Sequence, residues 1–242
     1  KKVFKKPCKV LVVDKLINKQ KKIQLKNNSF NFKVHDISKK ININEKFDYI
    51  IHAAGIPTPT EYKLKPVETL DVSYFGTRFL LNMARKMKAQ FIFFSSSEIY
   101  GNPDKKNIPT KEDYKGYVSC IGGRSCYDEG KRIGETLSYT FYEHFGVHTN
   151  CIRPFNVYGP GMLQTDYRVL SNFALNILKN NPLRVFYPGT QTRTYCYVTD
   201  AIIGFFLVLL KGQAGETYNI GNNKPEVTVL DLAKKVKKNF DY

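Results

Sequence analysis

Short apolar runs and longer stretches of helical periodicity alternate along the first 155 positions. Residues 9–14 and 91–94 are apolar almost throughout. Residues 30–34, 47–55 and 148–152 are more mixed, and 47–55 runs into the small-residue loop Ala53-Ala54-Gly55. Such runs predict strands, the most apolar of them covered on both faces. Residues 69–87 and 124–144 carry apolar side chains at helical spacing and predict long helices. Strands that alternate with helices predict a doubly wound α/β fold, a parallel sheet with helices on both faces.

After Pro154 the alternation loosens. Residues 169–179, 200–210 and 229–239 predict helices, and 183–187 and 217–220 predict short strands. The apolar stretch 201–210 reads as a buried helix. The expected organisation is a sheet domain over 1–155. Residues 156–242 would be mostly a small lobe at the C-terminal side of the sheet, where open α/β sheets bind ligands. Some of its segments would return to the core.

Composition narrows the function classes. The chain has 242 residues, 42% of them hydrophobic and 24% charged, as in soluble globular proteins. No apolar run reaches the ~18 residues of a membrane span. The opening Lys1-Lys2-Val3-Phe4-Lys5-Lys6 lacks the apolar core of a signal peptide. The expectation is a cytoplasmic protein with no membrane partner. Cys8, Cys120, Cys126, Cys151 and Cys196 are odd in number and widely spaced, so reduced thiols are expected, with no metal site. Net charge is +17. The lysines are scattered (Lys19, Lys21, Lys22, Lys39, Lys40, Lys234, Lys235, Lys237, Lys238), and no nucleic-acid-binding signature accompanies them. A solvated basic surface that helps to attract an anionic substrate is expected, with no nucleic-acid partner.

Candidate chemistry gathers in the middle of the chain. Tyr127 and Lys131 are spaced i, i+4 and share a helix face. Tyrosine, with an ordinary pKa near 10, is a poor base at neutral pH. A neighbouring ammonium would lower that value and let Tyr127 accept a proton. Ser96 and Ser97 follow an apolar strand, where side chains face the ligand crevice, although serine there is also ordinary turn chemistry. Asp14 ends its strand, where an acid binds a ribose 2′-hydroxyl and disfavours a 2′-phosphate. Ala53, Ala54 and Gly55 are small enough for backbone to approach phosphates, or simply to pack.

From Ile51 onward these motifs fall in the order of the extended short-chain dehydrogenases/reductases that act on nucleotide sugars. The segment Gly122-Gly123-Arg124-Ser125-Cys126-Tyr127-Asp128-Glu129-Gly130-Lys131-Arg132 closely resembles UDP-glucuronate decarboxylases, as does Ser96-Ser97-Glu98-Ile99-Tyr100-Gly101. Arg153-Pro154-Phe155-Asn156-Val157-Tyr158-Gly159-Pro160 and Gln191-Thr192-Arg193-Thr194-Tyr195 match the wider group. The resemblance implies a Rossmann-type fold, NAD as cofactor, a nucleotide-sugar substrate and a homodimer built on two helices per subunit. It implies catalytic roles for Tyr127, Lys131, Ser96 and Glu98. It places Asp14, Asp36, Ile37, Ala53, Ala54, Gly55 and Ser73 at the cofactor, with Tyr127 and Lys131. It places Tyr62, Ser97, Asn156, Arg168 and Arg193 at the substrate, where guanidinium groups suit a diphosphate.

The pattern departs from that family at several points. No GxxGxxG turn occurs, and the chain opens just before the strand that should follow one. The expectation is that the N- and C-terminal parts of the family fold are missing. Ser73 stands where the family has Asn, Gly123 where it has Pro, and Gly161 where decarboxylases often have Arg. The implied activity is C4 oxidation, with decarboxylation of UDP-glucuronate to UDP-xylose. The alternatives are a 4-epimerase, 4,6-dehydratase or C4-dehydrogenase on a UDP-, dTDP- or GDP-sugar. A silent cofactor-sensing protein is the alternative of another class.

Overall fold

The computed structural model describes residues 8–15, 29–43, 45–163, 166 and 168–239. Residues 1–6 and Lys19, Lys21 and Lys22 lie outside them.

The first two strands, β1 (Val10–Asp14) and β2 (Phe30–Val34), pair in parallel with Val10 opposite Phe30 and Asp14 opposite Val34. The main sheet begins with β3 (Tyr49–His52). A short helix, α1 (Pro59–Leu64), leads to a continuous helical run: α2 (Pro66–Asp71), a π-helical segment (Val72–Gly76) and α3 (Thr77–Met87). Then come β4 (Gln90–Phe94), the long helix α4 (Ser125–Phe145) and β5 (Thr149–Pro154). The remainder comprises β6 (Val157–Tyr158), α5 (Val169–Leu178), β7 (Thr192–Arg193), β8 (Cys196–Tyr197), α6 (Val198–Lys211), β9 (Thr217–Ile220), β10 (Val227–Thr228) and α7 (Val229–Asn239). The main sheet has the order β3-β4-β5-β9, parallel throughout, with β9 contributed from the second half of the chain.

Strand periodicity divides the core in two, because alternate side chains leave opposite faces. Phe91, Phe93 and Cys151 point to one face and pack with Leu80, Leu81 and Ala84 of α3 and Phe141 of α4. Ile92 and Ile152 point to the other and pack with Val208, Phe205 and Leu209 of α6. Helices therefore cover both faces, as expected. Burying each of these large side chains stabilises the fold by about 1.5–3 kcal/mol.

Three details differ from the sequence reading. The helix predicted from residue 69 starts at Pro66, in the first-turn position where a missing N–H costs nothing, and it contains the π segment. Residues 183–187 form no strand: Leu183 and Val185 pack against Phe173, Val229 and Ala233 instead. Pro182 and Pro188 flank the stretch, and neither can donate to a ladder. The 201–210 helix is not buried all round. Ala201 and Val208 are covered, while Ile203, Phe206, Leu207 and Leu210 on the other side are more than half exposed.

Close approach of α4 to the sheet depends on one glycine. A Cβ on Gly134 would stand 2.1 Å from Cζ of Phe93, a core residue with no room to move. Gly134→Ala is therefore expected to lower the unfolding free energy by about 1–3 kcal/mol through overpacking, despite alanine's higher helix propensity. Urea or thermal unfolding of the variant checks this.

Candidate active site

The strand β4 ends at Phe94, and the chain turns at Ser95 and Ser96 into a 3-10 turn (Ser97–Tyr100). Ser96 caps that turn, its Oγ accepting from the Glu98 backbone N–H at 3.2 Å. Helix α4 crosses beside this strand end and delivers Tyr127 and Lys131, only 8% and 6% exposed. Ser96, Glu98, Tyr127 and Lys131, far apart in sequence, thus meet at one place, with Ser96 hydrogen-bonding Tyr127.

Lys131 is the most constrained of the four. Its Nζ donates to the Phe94 carbonyl at 2.6 Å and lies 5.2 Å from the Phe93 ring centre and 5.9 Å from that of Tyr127. Burial pushes its pKa down to about 8, against a smaller opposing pull from Glu135. Tyr127 does not show the lowered pKa that the i, i+4 spacing led us to expect. Burial raises it, and Glu98, Asp128 and Tyr62 add to the rise, while only the Ser96 hydrogen bond opposes them. Burial is the main reason; the carboxylates add to it, and the Lys131 ammonium donates to the Phe94 carbonyl rather than to the Tyr127 hydroxyl.

Tyr62 of α1 lies flat on Tyr127, ring centres 5.4 Å apart and planes 14° apart. Together with Ile56 and Cys126 they form a small buried cluster. The Cys126 thiol donates to the Tyr62 carbonyl at 3.6 Å, and burial raises its pKa, so it is an inert packing group here. Glu98 forms an ion pair with Arg124, which also reaches Asp128 at 3.3 Å. The sequence pattern gives Arg124 no role of its own: it is one member of the Gly122-to-Arg132 segment, at i, i+4 spacing to Asp128.

The other candidates are more dispersed. Gly55 lies in the loop after β3, close to the Lys131 head, where a Cβ would stand 3.4 Å from Nζ. Ala53 and Ala54 precede it in the same loop. Asp14 ends β1, and its carbonyl accepts from the His35 N–H. Asp36 is engaged by Lys15 Nζ at 2.5 Å and by Ser38. Burial opposes ionisation there, but these hydrogen bonds outweigh it and hold the carboxyl near pKa 2. Ile37 packs into the core against Gly76. Ser73 sits in the π segment, its Oγ donating to the Thr69 carbonyl and facing Gly130 of α4. Ser97 is half-buried in the turn. In the second half, Asn156 has a left-handed backbone (φ 42°), Arg168 pairs with Asp166, and Arg193 is exposed on β7 with Nη1 donating to the Thr192 carbonyl. Among the described residues, no His/Cys/Asp/Glu group could hold a metal, and no helix is long and apolar enough to cross a membrane.

Comparison with known proteins gives these elements a context. A family model described as the NAD dependent epimerase/dehydratase family matches residues 1–221. UDP-glucuronic acid decarboxylase 5 of Arabidopsis thaliana is 41% identical over 84% of this chain and 58% of its own length. UDP-glucuronic acid decarboxylase 1 of Danio rerio is 37% identical over 84% of this chain and 47% of its own. This chain thus spans about half the length of these relatives. A solved UDP-glucose 4-epimerase from Thermotoga maritima, with UDP-glucose, superposes with a TM-score of 0.84 at 25% identity, over 97% of this chain and 75% of its own.

A buried ammonium has a thermodynamic signature. Between pH 8 and 10.5 the unfolded chain keeps the Lys131 proton that the folded chain releases, so the folded state gains stability as pH rises through that window. At neutral pH the shift corresponds to a cost of on the order of 3 kcal/mol. Lys131→Met is expected to abolish this rise and to unfold about 1–3 kcal/mol later at pH 7, lost packing offsetting part of the gain. Chemical denaturation of both proteins across that range checks it.

Proposed function

Because the chain belongs to the NAD dependent epimerase/dehydratase family, we propose that it oxidises a nucleotide sugar at C4, and that its reaction is decarboxylation of UDP-glucuronate to UDP-xylose. The observation that carries this reading is the meeting of Tyr127, Lys131, Ser96 and Glu98 at the end of β4. The identity to UDP-glucuronic acid decarboxylases supports the choice of reaction.

The residues present fit a dinucleotide on one concrete point: the small-residue loop Ala53-Ala54-Gly55 after β3 runs beside the buried Lys131 head. Lys131 would hold the nicotinamide ribose, Asp14 the adenosine ribose, Asp36 and Ile37 the adenine side, and Ala53 to Gly55 the phosphates. Ser73 would shape this wall from beneath. When bound, NAD supplies the two-electron acceptor for C4.

The chain's own groups handle protons and charge. Tyr127 takes the proton of the C4 hydroxyl, and Ser96 hydrogen-bonds the same oxygen and steadies the ketone it becomes. Lys131 supplies positive charge that favours the phenolate once the substrate is seated. Glu98 would stand at the sugar carboxylate, which lies β to the new ketone and leaves as CO2; its bonding electrons pass to an enolate at the C4 oxygen, C5 takes a proton, and hydride return to C4 with the proton held by Tyr127 gives UDP-xylose. Tyr62, Ser97, Asn156, Arg168 and Arg193 line the substrate side, with the two arginines at the diphosphate. Residues 1–155 would form the cofactor domain and 156–242 mostly the substrate lobe, with β9 joining the main sheet and α6 packed on it.

We also read the protein as a homodimer through the helical run 66–87 and α4, on which Val67, Leu70, Phe75, Tyr139 and Phe145 are exposed. A cytoplasmic setting fits five free cysteines. A second reading, C4 epimerisation, is favoured by the match to the Thermotoga maritima epimerase.

Product NMR with UDP-glucuronate and NAD separates the two. UDP-xylose with CO2 release is the expected outcome, and Tyr127→Phe is expected to lower kcat about 10²–10⁴-fold. A C4 epimer without CO2 would replace the decarboxylase reading with the epimerase one.

A further inference from the structure

The groups around Tyr127 carry an unusual balance of charge. Tyr62 covers one ring face from α1. Glu98 approaches from the 3-10 turn, Asp128 adjoins Tyr127 on α4, and Lys131 lies one turn further along. Two carboxylates thus act on a group whose proposed task requires a negative charge, and both raise its pKa. Among the described residues, Arg124, just before α4, is the one side chain ion-paired to both: its Nη2 to Glu98 Oε2, its Nε to Asp128 Oδ2 at 3.3 Å. Asp128 is itself buried, so an uncompensated charge there would be felt at close range.

We propose that Arg124 is a positioning residue that neutralises the carboxylates flanking Tyr127 and pins the Ser96–Glu98 turn to the start of α4. This inference rests on the reading of Tyr127 as the proton acceptor. It adds a shared cation between the turn and the helix, which the Lys131–Phe94 hydrogen bond already joins at the strand end. A guanidinium suits the task because its fork serves two carboxylates at once and it stays charged at every working pH.

The two functions of the clamp separate experimentally. The readout is the ionisation of Tyr127, followed by NMR of the protein labelled with 13Cζ-tyrosine and loaded with NAD; the Tyr127→Phe spectrum identifies the resonance. Arg124→Gln is expected to move the Tyr127 midpoint upward by roughly half a pH unit or more. Asp128→Asn is expected to move it downward. The double variant should return close to wild type, and Arg124→Lys should retain most of the wild-type position. Superimposable titrations for wild type and Arg124→Gln overturn the inference, as does a double variant no closer to wild type than Arg124→Gln alone. A separate assay keeps the underlying reading apart. If Tyr127→Phe turns over substrate like the wild type, the base assignment falls and this inference with it. If Tyr127→Phe is inactive while the Arg124→Gln midpoint stays put, this inference alone falls.

Discussion

Everything at the candidate site depends on how closely α4 lies on its neighbours. Two glycines on one of its faces set that distance. Gly134 rests on the Phe93 ring, and Gly130 rests on Ser73 of the π segment, where an added Cβ would come within 3.0 Å of the serine oxygen. One helical turn separates them, so both open the same side of the helix. That side brings Lys131 down to the Phe94 carbonyl and Tyr127 beside Ser96. A helix standing further from the sheet would leave the lysine in water, where its pKa would be ordinary and its charge screened.

The electrostatic consequence follows from burial. Lys131 is desolvated, so its ammonium is costly and its proton only loosely held. Tyr127 is desolvated too, and burial favours its neutral form. The two pKa values therefore move apart, Lys131 downward and Tyr127 upward, so burial favours the uncharged form of both groups. His52 beneath them is fully buried, and burial, with the nearby Lys131 charge, pushes it down to about pKa 3. It adds no second positive charge below the lysine.

The sheet and its long helices were legible because parallel strands and amphipathic helices leave strong periodic signals, and β2, β9 and α7 have the predicted bounds. The candidate residues come from motif resemblance, and the fold brings Ser96, Glu98, Tyr127 and Lys131 close to one another. What stayed hidden was set by tertiary contact. The π segment carries no periodic mark; Thr69 and Ser73 bond back to carbonyls four residues earlier, a local choice that composition does not reveal. The 183–187 stretch has strand-like residues, but strand formation needs a ladder partner, and here packing on α5 and α7 won. Arg124 was visible only as part of a motif, because its partner Glu98 is 26 positions away.

The same separation of charges explains why Glu135 does not undo the site. Glu135 stands four residues after Lys131 on α4, close enough to fold toward the ammonium and raise its pKa toward the ordinary value. Its carboxylate is instead held by Arg153 of β5, through Nε at 2.9 Å and Nη2 at 2.6 Å. Arg153 is fixed in turn by Tyr100, whose hydroxyl accepts from Nη1 and donates to Asn219 of β9. Breaking one member of a buried charged set leaves its partners uncompensated, so the set holds together or fails together. Because Arg153 commits Glu135 to β5, burial rather than ion pairing governs Lys131. The chain thus keeps a lysine with a low pKa next to a tyrosine by giving the nearest carboxylate a stronger partner elsewhere.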